Sequence, residues 1–103
     1  LDLMAAFSST KAKVDIHLDQ IVVDSLAYFY LIADSITKGS AGSLFIPSYV
    51  DQRDQDTSGP WRAMYDFYKW VVDEAVTRDI LTSDEATKLH RGQYTIIPDD
   101  RFK

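Results

Sequence analysis

From Pro60 to Asp79 the apolar positions fall into two stripes rather than one. At about 100° per residue, Trp61, Met64, Tyr65, Tyr68, Val71, Val72, Ala75 and Val76 share one broad arc, which predicts a helix with a core-facing side. Ala63, Phe67 and Trp70, at i, i+4 and i+7, form a second and narrower stripe on the far side. A helix with two apolar stripes is expected to meet protein on both faces: the second stripe either packs against Leu44 to Val50 or the C-terminal strand of the same domain, or is the partner-binding surface. Ser58 or Gly59 supplies the cap, and Pro60 stands at the first helical position, where its missing amide proton costs nothing. Arg62 with Asp66, Lys69 with Asp73, and Glu74 with Arg78 are i,i+4 pairs of opposite charge that mark the solvent side.

A second long periodic segment predicts a helix from Lys13 or Asp15 to Ile36 or Thr37, stopped by Gly39. Its apolar residues, Phe29 and Tyr30 among them, cover about half the circumference, more than one core-facing stripe needs. This predicts a central position or an oligomer interface. The narrow polar seam holds His17, Asp24, Tyr28 and Ser35, with Leu31 beside it. Residues 1–12 precede this pattern and are expected to be flexible or loosely packed.

Between the helices, Gly39 to Gly59 is a long connection in which Leu44, Phe45 and Ile46 read as a short edge strand ended by Pro47. Beyond the aromatic helix, Thr82-Ser83-Asp84-Glu85 is a capping box that starts a short helix to His90, with Gly92 past its end. Gln93 to Pro98 has strand composition, and residues 94–97 are expected to pair with 44–46. The fold class is therefore mainly α: two long helices and one short, with a small two-stranded element, as one domain over residues 1–103.

Composition agrees with a packed core, at 46% hydrophobic and 13% aromatic residues. Without cysteine there are no disulfides, thiolate metal sites or thiol nucleophile, and the compartment stays open. The net charge of −5 opposes nucleic-acid binding, whose usual electrostatic signature is basic. Asp19, Asp24 and Asp34 interrupt the densest apolar run, so no membrane span is expected. The chain opens on Leu1 rather than Met, as an excised piece of a longer protein would.

Candidate chemistry is sparse. Asp54, Asp56 and Ser58 followed by Gly59 match the opening of a calcium loop, in which alternate oxygens surround a hard cation. The twelfth position is Tyr65, where a bidentate glutamate belongs, so an Asp/Ser-rich turn before a helix cap explains the segment more simply. His17, Asp24 and Tyr28 share one helix face, and His90 sits at a helix C-terminus where an imidazolium suits the dipole; neither arrangement has diagnostic ligand spacing. No nucleophile elbow, phosphate-cradling loop or paired-histidine motif is present, so no enzyme and no cofactor are expected.

These features point to a non-catalytic protein–protein interaction module: a homo-oligomerising subunit, an adaptor or an inhibitor of a larger protein. Its expected contacts are Ala63, Phe67, Trp70, Phe29 and Tyr30, and its expected partner is a protein or a second copy of itself. Two alternatives stand beside it. One is a calcium-responsive domain using the loop at 51–59. The other is an acidic helix-turn-helix regulator spanning Pro60 to His90, although its second helix would present Asp84 and Glu85 to phosphate.

Overall fold

The computed structural model describes residues 3–15, 20–39, 42–47 and 59–102. In chain order these form α1 (Leu3–Asp15), α2 (Gln20–Lys38), β1 (Leu44–Ile46), α3 (Gly59–Thr77), α4 (Ser83–His90) and β2 (Thr95–Ile97), followed by a 3₁₀ turn at Asp99–Phe102. The protein is mainly helical, with a small antiparallel two-stranded sheet. Its two 19-residue helices, α2 and α3, are the expected long ones, and α4 is the expected short one.

The beginning of the chain differs from the sequence expectation. Residues 3–12, expected to be loose, belong to a helix that packs on both α3 and α2. Leu3, Ala6, Phe7 and Thr10 follow the i, i+3, i+4, i+7 rule, but serines, lysines and alanines around them blur the stripe. Thr10 is buried, and its hydroxyl donates to the Ala6 carbonyl at 2.9 Å, so this buried polar group is satisfied within its own helix. The following helix accordingly starts at Gln20, not at Lys13 or Asp15.

The core lies where α2, α3, α4 and the inner face of the sheet meet. From α2 come Leu26, Phe29, Ile32, Ala33 and Ile36, and from α3 Met64, Phe67, Tyr68, Val71, Val72 and Ala75. Ile46 and Ile97 close the layer from the sheet, and Leu89 closes it from α4. The broad stripe predicted on α3 is thus the core stripe. Tyr68 brings a hydroxyl into this layer and donates it to the Pro47 carbonyl at 2.9 Å, fastening the end of β1 to the middle of α3. On the solvent side Arg62 meets Asp66 at 3.3 Å and Arg78 meets Glu74 at 2.9 Å.

The helix ends are governed by local chemistry. Gly39 follows α2 with φ +87° and Gly92 follows α4 with φ +94°, the left-handed conformation that ends a helix and that glycine adopts without strain. At the end of α3 Asp79 takes this role with φ +60°. The Ile80 amide donates to Ala75 and the Asp79 amide to Val76, the paired bonds of a Schellman turn, and Ile80 drops into the core. At the start of α4 the capping box forms in both directions: Glu85 N–H donates to Thr82 Oγ1 at 3.2 Å, and Thr82 N–H donates to Glu85 Oε1 at 3.0 Å.

Candidate protein-interaction surface

The residues expected to bind a partner are largely occupied inside the chain. Ala63 and Phe67 are buried, at 8% and 3% exposure, and Phe29 is buried at 3%. Phe29 packs in the core with its ring 5.1 Å from that of Tyr68, whereas the cover over the α3 stripe is α1, whose Phe7 ring stands 6.4 Å from Phe67 and 4.5 Å from Tyr30. The second stripe of α3 therefore meets protein as expected, but that protein is the first helix of the same chain. Tyr30 and Trp70 remain partly open. Trp70 packs 5.9 Å from Phe67 and lines a cleft of about 430 Å³ whose other walls include Met4, Tyr30, Asp34, Lys38 and Glu74. Two ion pairs rim this cleft and leave it without net charge: Lys38 with Asp34 at 3.0 Å, and Arg78 with Glu74. The hydrogen bond that Lys38 donates to Asp34, reinforced by the carboxylate's charge, holds the pKa of the Lys38 ammonium above its usual value.

A different apolar surface stands open on the opposite side of the strands. In each strand the central residue points away from the core: Phe45 is 44% exposed and Ile96 54%, and they face each other across the ladder. Tyr94, 65% exposed, sets its ring 5.4 Å from that of Phe45. The patch continues onto α2, where the Tyr28 hydroxyl donates to the Phe45 carbonyl at 3.1 Å and Leu31, one turn further on, is 60% exposed. Tyr28 was expected in the polar seam of this helix, and Asp24 in that seam is exposed as well.

Sequence reasoning assigned none of these five side chains to a binding surface. Leu-Phe-Ile is wholly apolar and Thr-Ile-Ile has adjacent isoleucines, so a period of two does not say which face is buried. The signal that was present is the register. Once Ile46 and Ile97 face inward, alternation turns Phe45 and Ile96 outward.

A second polar feature ties the C-terminal turn to the helices. Arg101 donates to the Ile80 carbonyl at 3.1 Å and to Glu85, bridging α4 to the turn after α3. Burial alone would push the Glu85 carboxyl up; hydrogen bonds from Arg101 and the Thr82 backbone outweigh that and hold it below its ordinary value. Glu85 is thereby committed to structure, and Asp84 beside it is exposed, so the first turn of α4 offers no cation to a phosphate.

Among the described residues no group of three or more histidine and carboxylate side chains could hold a metal. The calcium-loop candidates Asp54, Asp56 and Ser58 lie outside the described residues, as does His17. No described helix is long and apolar enough to cross a membrane. Comparison with models of protein families, with curated proteins and with solved structures gives no match.

Proposed function

We propose that this chain is a non-catalytic protein-interaction module whose contact surface is the outer face of the sheet together with the adjoining side of α2. The observation that supports this reading is the grouping of Phe45, Tyr94 and Ile96 on one face, joined to α2 through Tyr28, with Leu31 one turn along that helix; each of the five is more than a third exposed. Scattered exposed apolar residues are ordinary, whereas a contiguous group on one face is the pattern of a protein-binding patch. Full burial of one such side chain contributes about 1.5–3 kcal/mol, so covering even part of the patch can drive association. Aromatic residues at its centre fit the composition of contact hot spots.

The partner this surface suits is a protein, or another copy of the chain, rather than nucleic acid, given the net charge of −5. The test is site-specific photo-crosslinking in cells, with p-benzoylphenylalanine in place of Tyr94 and, as a control, in place of exposed Lys69 on α3. Discrete protein adducts at Tyr94 and none at Lys69 are expected. The same adduct pattern at both positions would overturn the assignment.

A further inference from the structure

The two edges of the sheet are not equivalent. Pro47 and Pro98, which follow the strands, have no amide proton, so in the observed register Leu44 with Ile97 and Ile46 with Thr95 are the pairs that exchange hydrogen bonds. Phe45 with Ile96 is then the non-bonded pair between them, and the main-chain groups of these two residues point to opposite outer edges. On the β1 edge the Phe45 carbonyl accepts from Tyr28. On the β2 edge the amide and carbonyl of Ile96 meet no partner among the described residues, and the same alternation turns those of Tyr94 outward. From Tyr94 to Ile97 this edge carries no charge and no proline, the devices that protect an edge strand.

We propose that this open edge pairs with β2 of a second copy of the chain, antiparallel about a two-fold axis at Thr95, to give a continuous four-stranded sheet in the order β1-β2-β2-β1. The proposal rests on the interaction-module reading above and deepens it by naming the partner.

Two features select a second copy. The first is self-complementarity. With Thr95 on the axis, Tyr94 of one copy lies opposite Ile96 of the other, and both residues have outward main-chain groups. Each such pair exchanges two hydrogen bonds and the axis supplies the pair twice. The second is charge. Arg91, the C-cap of α4 four residues before β2, and Asp99, at the start of the 3₁₀ turn after it, put opposite charges at the two ends of the edge, so an antiparallel partner brings unlike ends together, again twice. Arg91 and Asp99 are both exposed, and neither enters an ion pair among the described residues. A parallel arrangement would instead bring like ends together. In the antiparallel one the Phe45, Tyr94 and Ile96 side chains of both copies also join into one apolar strip on the outer face.

The contact is smaller than a standard interface, so association is expected to be weak and calls for a concentration series reaching about 1 mM. Sedimentation equilibrium on the chain should show a monomer–dimer equilibrium. Ile96→Pro removes an amide proton that points out of the molecule and none that bonds within it; by symmetry two intersubunit bonds go, and dimerisation should weaken about tenfold or more with the circular dichroism unchanged. Arg91→Asp should also weaken the dimer, and Arg91→Asp combined with Asp99→Arg should restore it, which tests the antiparallel direction even if Ile96→Pro fails to fold. A monomer throughout the series, or a dimer indifferent to both Ile96→Pro and Arg91→Asp, would overturn the proposal. The two readings fail separately: a monomeric chain that still gives Tyr94 adducts with a different protein removes the self-pairing and leaves the interaction module, whereas a monomer without specific adducts removes both.

Discussion

The Tyr28 hydroxyl and the Phe45 carbonyl, 3.1 Å apart, join the exposed side of α2 to the outer edge of β1. The bond crosses seventeen positions of sequence and occupies an acceptor that would otherwise leave the first strand as open as the second. Tyr28→Phe deletes only this donor. Because the site is partly solvated, water replaces much of the lost bond, and the variant should be less stable by no more than about 1 kcal/mol, read as a lower urea midpoint at unchanged slope. A change in slope would mean that the strand had detached.

Phe67 and Trp70 share a stripe but not a fate. Phe67→Ala empties a buried site between α1 and α3 and should cost about 3–5 kcal/mol, with loss of cooperative unfolding if the margin is small. Trp70→Ala removes a ring that is partly in solvent and should cost clearly less. Denaturation curves followed by circular dichroism rank the two, and equal losses would contradict the difference in burial.

The Glu85–Arg101 contact carries a pH dependence with a definite sign. The folded state holds the Glu85 carboxyl below its ordinary value. Its contribution is therefore fully present above the unfolded value, about 4.3, and is lost as pH falls through the lower folded one. Glu85→Gln keeps an acceptor for the Thr82 amide and removes the charge. The stability difference between wild type and this variant should be present at pH 7 and shrink below pH ~4; a difference independent of pH would show that the ion pair contributes nothing.

Asp79 occupies a backbone conformation that favours glycine, at φ +60°. Relief of that strain is offset in part by the greater freedom of glycine in the unfolded chain, so Asp79→Gly should be neutral or stabilising by up to about 1 kcal/mol. A β-branched residue has no such escape, and Asp79→Val should destabilise by about 1–2 kcal/mol. Urea midpoints of the pair test the Schellman turn, and the opposite order would refute it.

The sequence by itself determined the elements whose signals are local. The capping box at Thr82 and Glu85, the glycine stops at Gly39 and Gly92, the core stripe from Met64 to Ala75 and the pairing of residues 44–46 with the C-terminal strand were all readable, because each depends on contacts within a turn or on a simple period. Only the tertiary structure decided which apolar faces were already covered. Leu3, Ala6 and Phe7 form a faint stripe among serines and lysines, so nothing local revealed that α1 would close over Ala63 and Phe67. Nor could the short strands disclose their exposed side, since every position in Leu44–Ile46 is apolar and the choice between Phe45 and Ile46 is made by the helices beneath. Burial is a property of pairs of surfaces, and a single stripe in a sequence names only one member of the pair.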